Sequence, residues 1–204
     1  YIDSGLPAGP SECIILADEN ADPEKVALDW MIEAEHGPDS AALLVTNCEE
    51  LVYKAAEIVE RQLEKISDKR REFVTTNFNT YGGAIITESL EESIDFVNDY
   101  APEHMEVMTK EPFVVLPKIK NAGEILLGDY TPVTLCNFVL GPNAILPTGQ
   151  FAKTYSSVSV MDFLKRSSVG YASRDGFEMV RDYAYKIATV EGFDTHALAV
   201  KERK

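Results

Sequence analysis

Apolar residues along the chain occur as short continuous blocks and as stretches with helical spacing. The blocks 12–18 (ECIILAD) and 41–46 (AALLVT) are almost wholly apolar, which is typical of strands that are buried on both faces of a sheet. Between them, a stretch with apolar positions at i, i+3, i+4 and i+7 starts at the capping residue Asp22 and stops at Gly37. The chain therefore begins with a strand, a helix and a second strand.

The same alternation continues downstream. An amphipathic helix follows the second strand, and 67–73 (SDKRREF) reads as a charged link. A strand is predicted at 83–87, a helix at about 88–100, a strand at 105–109, and a short helix with a further strand within 112–128. This order predicts an α/β fold with a doubly wound, Rossmann-like parallel sheet.

The last part of the chain differs in pattern. Residues 128–150 are rich in Gly, Pro, Thr and Asn, which favours a functional loop, and helical spacing returns beyond 160. We expect a Rossmann-like domain over 1–155 and a small helical tail region over 156–204.

Composition and charge exclude several classes of function. The net charge of −15 argues against nucleic acid and against anionic membranes as partners. No apolar run approaches the roughly 18 residues that span a bilayer. The three cysteines, at positions 13, 48 and 136, form no CxxC pair, so we expect free thiols in a reducing, cytoplasmic compartment.

The chain has three histidines, and each has carboxylates near it in sequence. Glu33 and His36 are three residues apart in a predicted helix and share one face, away from its apolar stripe. This spacing fits a metal site and a solvated acidic helix end equally well.

The segment APEHMEV places Glu103 and His104 at a turn before a strand. Pro102 is expected to keep Ala101 extended, and ligands of α/β sheets bind at strand ends. Glu103 and His104 could form a general acid/base pair, since histidine titrates near neutral pH. The alternative is a turn whose two side chains face water.

Six segments carry a resemblance to the histidinol dehydrogenase family. They occur in the family's order and cover essentially the whole chain: GPSE (9–12), EAEHGPDS (33–40), APEHMEV (101–107), LGDYTP (127–132), GPNAILPT (141–148) and DFLKR (162–166). The chain, which opens at Tyr1, resembles the C-terminal half of such a protein. The resemblance implies an intertwined homodimer that oxidises L-histidinol to L-histidine, in histidine biosynthesis, through an aldehyde and two hydride transfers. It also implies NAD+, one Zn2+ per subunit, and an active site that includes tail residues of the partner subunit.

The family's functional positions fall on specific residues of this chain. Its zinc ligands fall on Glu33, His36, Asn137 and His196. Its base falls on His104, and its water-activating residue falls on Glu103. The positions that contact substrate comprise these six residues together with Ser11 and Glu191. The sequence contains no GxGxxG motif, and the family's NAD site would lie upstream of Tyr1, in the missing N-terminal half.

Three positions depart from the family. Glu33 replaces a glutamine and Asn137 replaces an aspartate, which moves one carboxylate between two ligand positions and keeps the charge. Ala144 replaces a histidine that contacts the substrate, so we expect L-histidinol to be a poor substrate. The alternatives are a paralogue that oxidises another polyol, amino alcohol or sulfonated diol, and a family member without catalysis. Without the resemblance, the residues indicate an acidic α/β domain that binds a small molecule.

Overall fold

The structure, a computed structural model, describes residues 5–203 and contains two compact units, Tyr1–Phe163 and Leu164–Lys204. The strands of the first unit are β1 (Glu12–Ala17), β2 (Ala41–Thr46), β3 (Gly83–Ile86), β4 (His104–Met108) and β5 (Glu124–Leu127). Its α-helices are α1 (Pro23–Trp30), α2 (Glu49–Leu63), α3 (Asp68–Phe78), α4 (Leu90–Tyr100), α5 (Pro112–Val115) and α6 (Val133–Leu135). Its short 3-10 turns are Glu33–Glu35, Leu116–Lys118, Phe151–Lys153 and Val160–Phe163, and Cys136–Leu140 forms a π-helix.

The five strands form one parallel sheet in the order β3-β2-β1-β4-β5. Helices α1, α2 and α3 contribute to the core on one face, and α4 and α5 contribute to the core on the other. The predicted doubly wound α/β fold is confirmed.

Strand β1 lies at the centre of both cores. Ile15 and Ala17 face the first cluster, and Ile14 and Leu16 face the second, each with at most 1% of its surface exposed. A strand covered on both faces has no polar side to show, which is why the sequence here is one continuous apolar block.

The segment predicted as a charged link is the first turn and a half of a helix, α3. Ser67 caps it by accepting a hydrogen bond from the Arg70 N–H. Only Val74 and Asn77 of this helix are buried. With so few apolar contacts, its sequence lacks the periodic stripe that reveals the other helices.

The predicted helix from Asp22 to Gly37 is interrupted. Helix α1 ends at Trp30, and Glu33–Glu35 continue as a 3-10 turn. Asp29 and Glu33 are buried, and Glu33, for which a solvated helix end was one of two open interpretations, has 0% of its surface exposed.

Asp29 and Glu106 form a pair of buried carboxyl groups beside the sheet. Glu106, in the middle of β4, accepts a hydrogen bond from the Val133 N–H at 2.8 Å, which fixes the start of α6. Burial raises the pKa of Asp29 to about 6. Burial and the neighbouring charge of Asp29 raise the pKa of Glu106 well above its ordinary value.

The second unit consists of α7 (Arg174–Val190) and α8 (Asp194–Lys201), which pack against each other. Across residues 5–203, no helix is both long and apolar enough to cross a membrane. All three cysteines are free, as predicted.

Replacing Glu106 by Gln tests the buried carboxyl pair. Because both carboxyls have raised pKa values, the folded protein binds more protons than the unfolded chain above the ordinary carboxyl pKa of 4.5. Its free energy of unfolding therefore falls as the pH rises through about 6. We expect this fall to be shallower in Glu106→Gln, measured as urea midpoints between about pH 5 and about pH 8. An equally steep fall would contradict the prediction.

Candidate active site at the amino-terminal edge of the sheet

The predicted catalytic residues lie at the edge of the sheet where the strands begin. Ser11 precedes β1, Glu103 precedes β4, and His104 is the first residue of β4. Since all five strands are parallel, their starts share one edge. Ligands of open α/β sheets bind at the carboxyl ends of strands, so this site uses the opposite edge.

The turn before β4 has a left-handed backbone. Ala101, at the end of α4, has φ 57° and ψ 65°, so the expectation of an extended residue before Pro102 was wrong. Its N–H bonds to Val97 O at 2.8 Å, which closes the helix. A non-glycine residue in this conformation costs about 1–3 kcal/mol and persists where its surroundings hold it. Pro102 O and Glu103 O, directly after it, accept hydrogen bonds from the N–H groups of Gly123 and Glu124.

Glu103 is a buried carboxyl group: one of its oxygens accepts a backbone hydrogen bond, and the other lies near His104. Its Oε2 accepts a hydrogen bond from the Glu12 N–H at 3.0 Å, and its Oε1 lies 3.7 Å from His104 Nε2. Burial raises the pKa of Glu103 to about 7, against the smaller lowering effects of the Glu12 N–H and His104. A carboxyl with a pKa near neutrality can take and return protons under physiological conditions.

His104 is held by a residue that the sequence did not identify. Its Nδ1 lies 2.5 Å from Glu124 Oε1, at the start of β5. Burial opposes the charge of the imidazolium, but the bond to Glu124 and the nearby charges of Glu33 and Glu103 outweigh burial and raise the pKa of His104. The only signal for Glu124 in the sequence is a carboxylate opening an otherwise apolar strand, EILL.

Glu33 and His36 form a second part of the edge. His36 Nε2 lies 3.6 Å from Glu33 Oε2, and His36 Nδ1 lies 3.3 Å from Ser11 Oγ. The imidazole is half exposed, whereas neither buried oxygen of Glu33 has a hydrogen-bond partner among the described residues. Because Glu33 is buried, the structure argues against the solvated helix end and favours the metal site.

Asn137 lies in the π-helix Cys136–Leu140, a rare local structure that is frequent at functional sites. Its Oδ1 is buried and has no hydrogen-bond partner within residues 5–203. The adjacent Cys136 donates from Sγ to Glu124 Oε2 at 2.6 Å, so this segment touches the residue that holds His104.

The donor atoms of the predicted metal set suit a divalent ion. Glu33 and Asn137 offer oxygens without partners, His36 offers an imidazole nitrogen, and zinc accepts both kinds of ligand. A carboxylate buried without a partner is costly, and a bound cation would remove that cost. Within residues 5–203, no group of three or more His, Cys, Asp or Glu residues is arranged to hold a metal ion.

Two of the other predicted positions, Glu191 and His196, belong to the second unit. Glu191 follows the last residue of α7, and His196 lies in α8, with its ring centroid 5.1 Å from that of Phe193. Both are exposed in the second unit. Ala144 is exposed in the loop after the π-helix.

A separate cleft of about 360 Å³ lies near the carboxyl ends of β4 and β5. Its lining residues include Asn20, Thr109, Lys110 and Tyr130. None of these is a predicted site residue.

The fold and the site together define a Rossmann-like α/β domain with a buried carboxylate–histidine centre suited to acid–base chemistry. The family model described as Histidinol dehydrogenase matches residues 1–204. The chain belongs to the histidinol dehydrogenase family, which confirms the resemblance in its motifs.

Individual relatives agree with this assignment. The chain is 52% identical to histidinol dehydrogenase of Synechocystis sp. (strain PCC 6803), over 100% of the chain and 47% of that protein. It is 50% identical to a histidinol dehydrogenase homolog of Colwellia psychrerythraea, over 98% of the chain and 45% of the relative. The crystal structure of histidinol dehydrogenase from Elizabethkingia anophelis superposes with a TM-score of 0.92 at 32% identity, over 97% of this chain and 45% of that one. The chain thus spans about half the length of the relatives it matches.

Gly123 tests how closely β5 must approach the turn that carries Glu103. A Cβ at this position would lie 2.5 Å from the Glu103 carbonyl oxygen, a backbone atom that cannot rotate away. We expect Gly123→Ala to lower the free energy of unfolding by about 1–3 kcal/mol, measured by urea denaturation. Gly170→Ala is the control, because its Cβ would meet nothing within 4 Å, and it should change stability by less than about 0.5 kcal/mol. Equal stability of the two variants would show that the approach is not tight.

Proposed function

We propose that the protein to which this chain belongs is a zinc- and NAD-dependent dehydrogenase that oxidises a small polar alcohol through an aldehyde to a carboxylate. The observation that carries this proposal is the Glu103–His104 pair, with a raised pKa at each residue, at the same sheet edge as the partnerless Glu33. Membership of the histidinol dehydrogenase family supports the reaction class. The proposed assembly is a cytoplasmic homodimer of full-length subunits.

In this proposal, His104 is the base that takes the proton of the substrate hydroxyl, and NAD+ bound by the full-length protein would supply the hydride acceptor. Its Nε2 faces Glu103 Oε1, so the two groups are placed to act on one substrate in turn. Glu103, with a pKa of about 7, then takes a proton from the water that attacks the aldehyde. A second hydride transfer gives the carboxylate.

Glu33, His36, Asn137 and His196 are the proposed zinc ligands, with His196 coming from the second unit of the same or a partner subunit. A zinc ion bound there supplies a Lewis acid that holds and polarises the substrate oxygen. The partnerless oxygens of Glu33 and Asn137 support this assignment. Ser11, bonded to His36, and Glu191 are the further proposed substrate contacts.

The proposed substrate is an alcohol other than L-histidinol, such as a polyol, an amino alcohol or a sulfonated diol. Ala144 supports this choice, because a methyl group cannot replace the family's histidine in a hydrogen bond to a polar end of the substrate. The second candidate is histidinol itself, which the name of the Synechocystis relative favours.

An NADH-formation assay of the full-length protein with a panel of alcohols tests the activity. We expect turnover that a chelator abolishes, and a kcat/KM for L-histidinol at least about 100-fold below that for the preferred alcohol. Ala144→His should raise the histidinol value relative to the others. Absence of NADH formation with every alcohol would overturn the proposal, and efficient wild-type turnover of histidinol would favour the second candidate.

Moving the carboxylate from position 33 to position 137 tests whether Glu33 and Asn137 act as a complementary pair of ligands. We expect Glu33→Gln to lose bound zinc, since it removes the proposed site's one carboxylate ligand. The double variant Glu33→Gln with Asn137→Asp returns a carboxylate to the site and should recover zinc, measured by metal analysis after dialysis. Full zinc occupancy in Glu33→Gln alone would count against Glu33 as a ligand.

A further inference from the structure

Glu124 is placed by the sheet itself. It is the register partner of His104 in the parallel pair of β4 and β5, so the two side chains lie side by side on one face. The 2.5 Å contact joins side chains that are only 5% and 7% exposed. Water therefore competes little for either partner, and the carboxylate holds one ring nitrogen firmly.

The other oxygen of Glu124 is also occupied. Cys136 donates its thiol hydrogen to Oε2 at 2.6 Å. Cys136 has 1% of its surface exposed, so water competes little for this contact, and its Sγ–H is the donor. Glu124 is thus the acceptor of two hydrogen bonds, from Cys136 Sγ at Oε2 and from His104 Nδ1 at Oε1.

We propose that Glu124 is a positioning residue that fixes the proton of His104 on Nδ1 and leaves Nε2 free to act as the base. This inference rests on the proposed function, since it concerns the residue assigned there as the base. The carboxylate also stabilises the imidazolium that forms when Nε2 takes the substrate proton, and Cys136 keeps the carboxylate turned the correct way.

Other charged and titratable groups surround the imidazole without holding it in this way. Glu103 precedes it in the chain and lies on its Nε2 side at 3.7 Å. The charge of Glu33 raises the pKa of His104 without a hydrogen bond. Cys13 is the register partner of His104 on β1. A group hydrogen-bonded to a ring nitrogen selects the tautomer, and among the described residues Glu124 is the group bonded to His104.

Replacing Glu124 by Gln gives an outcome that a merely structural role does not predict. The Cys136 thiol should hold the amide oxygen, which turns the amide NH2 toward Nδ1 and forces the ring proton onto Nε2. We expect kcat/KM of the full-length enzyme to fall about 10²–10⁴-fold, with zinc content and thermal midpoint near those of the wild type. In the double variant Glu124→Gln with Cys136→Ala, the amide is free to rotate its oxygen back to Nδ1–H, and about tenfold or more of the activity should return.

The ring nitrogens of His104 give a readout that does not depend on turnover. In ¹⁵N-histidine spectra of the full-length protein, assigned by loss in His104→Gln, we expect the proton on Nδ1 in the wild type, on Nε2 in Glu124→Gln, and on Nδ1 in the double variant. Glu106→Gln is the matched control: it removes a buried carboxyl that accepts a hydrogen bond from the Val133 N–H, and it should leave the tautomer unchanged.

Two results would overturn the inference. One is an unchanged tautomer in Glu124→Gln, whatever its activity. The other is a changed tautomer with kcat/KM within about threefold of wild type, which would show that the tautomer does not matter for the reaction. If the wild-type protein oxidises no alcohol, the proposed function fails, while the spectra still decide whether Glu124 orients His104.

Discussion

Parallel pairing of β4 with β1 on one side and with β5 on the other is the constraint on which the site depends. The register sets His104 between Cys13 and Glu124 at the same level of one face. No loop conformation is needed to bring these groups together, because the strand spacing of the sheet does so. The adjacent π-helix then supplies Cys136 to the far oxygen of Glu124.

The second physical theme is the crowding of carboxyl groups in a poorly hydrated region. Glu33, Glu103 and Glu124 all act on one imidazole, and their combined charge outweighs the burial that would otherwise keep it neutral. Glu103 meanwhile responds to burial in the opposite way and becomes easier to protonate. Both pKa values are therefore raised, that of Glu103 by burial and that of His104 by the carboxylates around it, and the two adjacent groups are suited to exchange protons with a substrate.

Much of the fold could be predicted from the sequence, because buried parallel strands and amphipathic helices each leave a pattern. Helix α3 could not be predicted in this way. Its contacts include the Ser67 cap and the buried Asn77, whose amide donates to Ser40, and neither contact produces an apolar stripe in the sequence. The residue types of the site could be singled out, but their surroundings could not. The environment of Glu33 stayed open between a metal site and a solvated helix end, because helical spacing does not show that the helix ends at Trp30. Glu124 was missed because strand register is a property of the folded sheet.

The same register has a consequence for how the protein acquires its site. The groups that meet at the strand starts are far apart in the chain: the Glu12 N–H bonds to Glu103, and the Gly149 N–H bonds to Glu12. Contacts of such large sequence separation form only after long segments have been brought together, and they are characteristic of slow folding steps. Local helices can form before any of these groups are neighbours. We therefore expect the edge to assemble late, so that a chemical signal from His104 would report that the central sheet is complete.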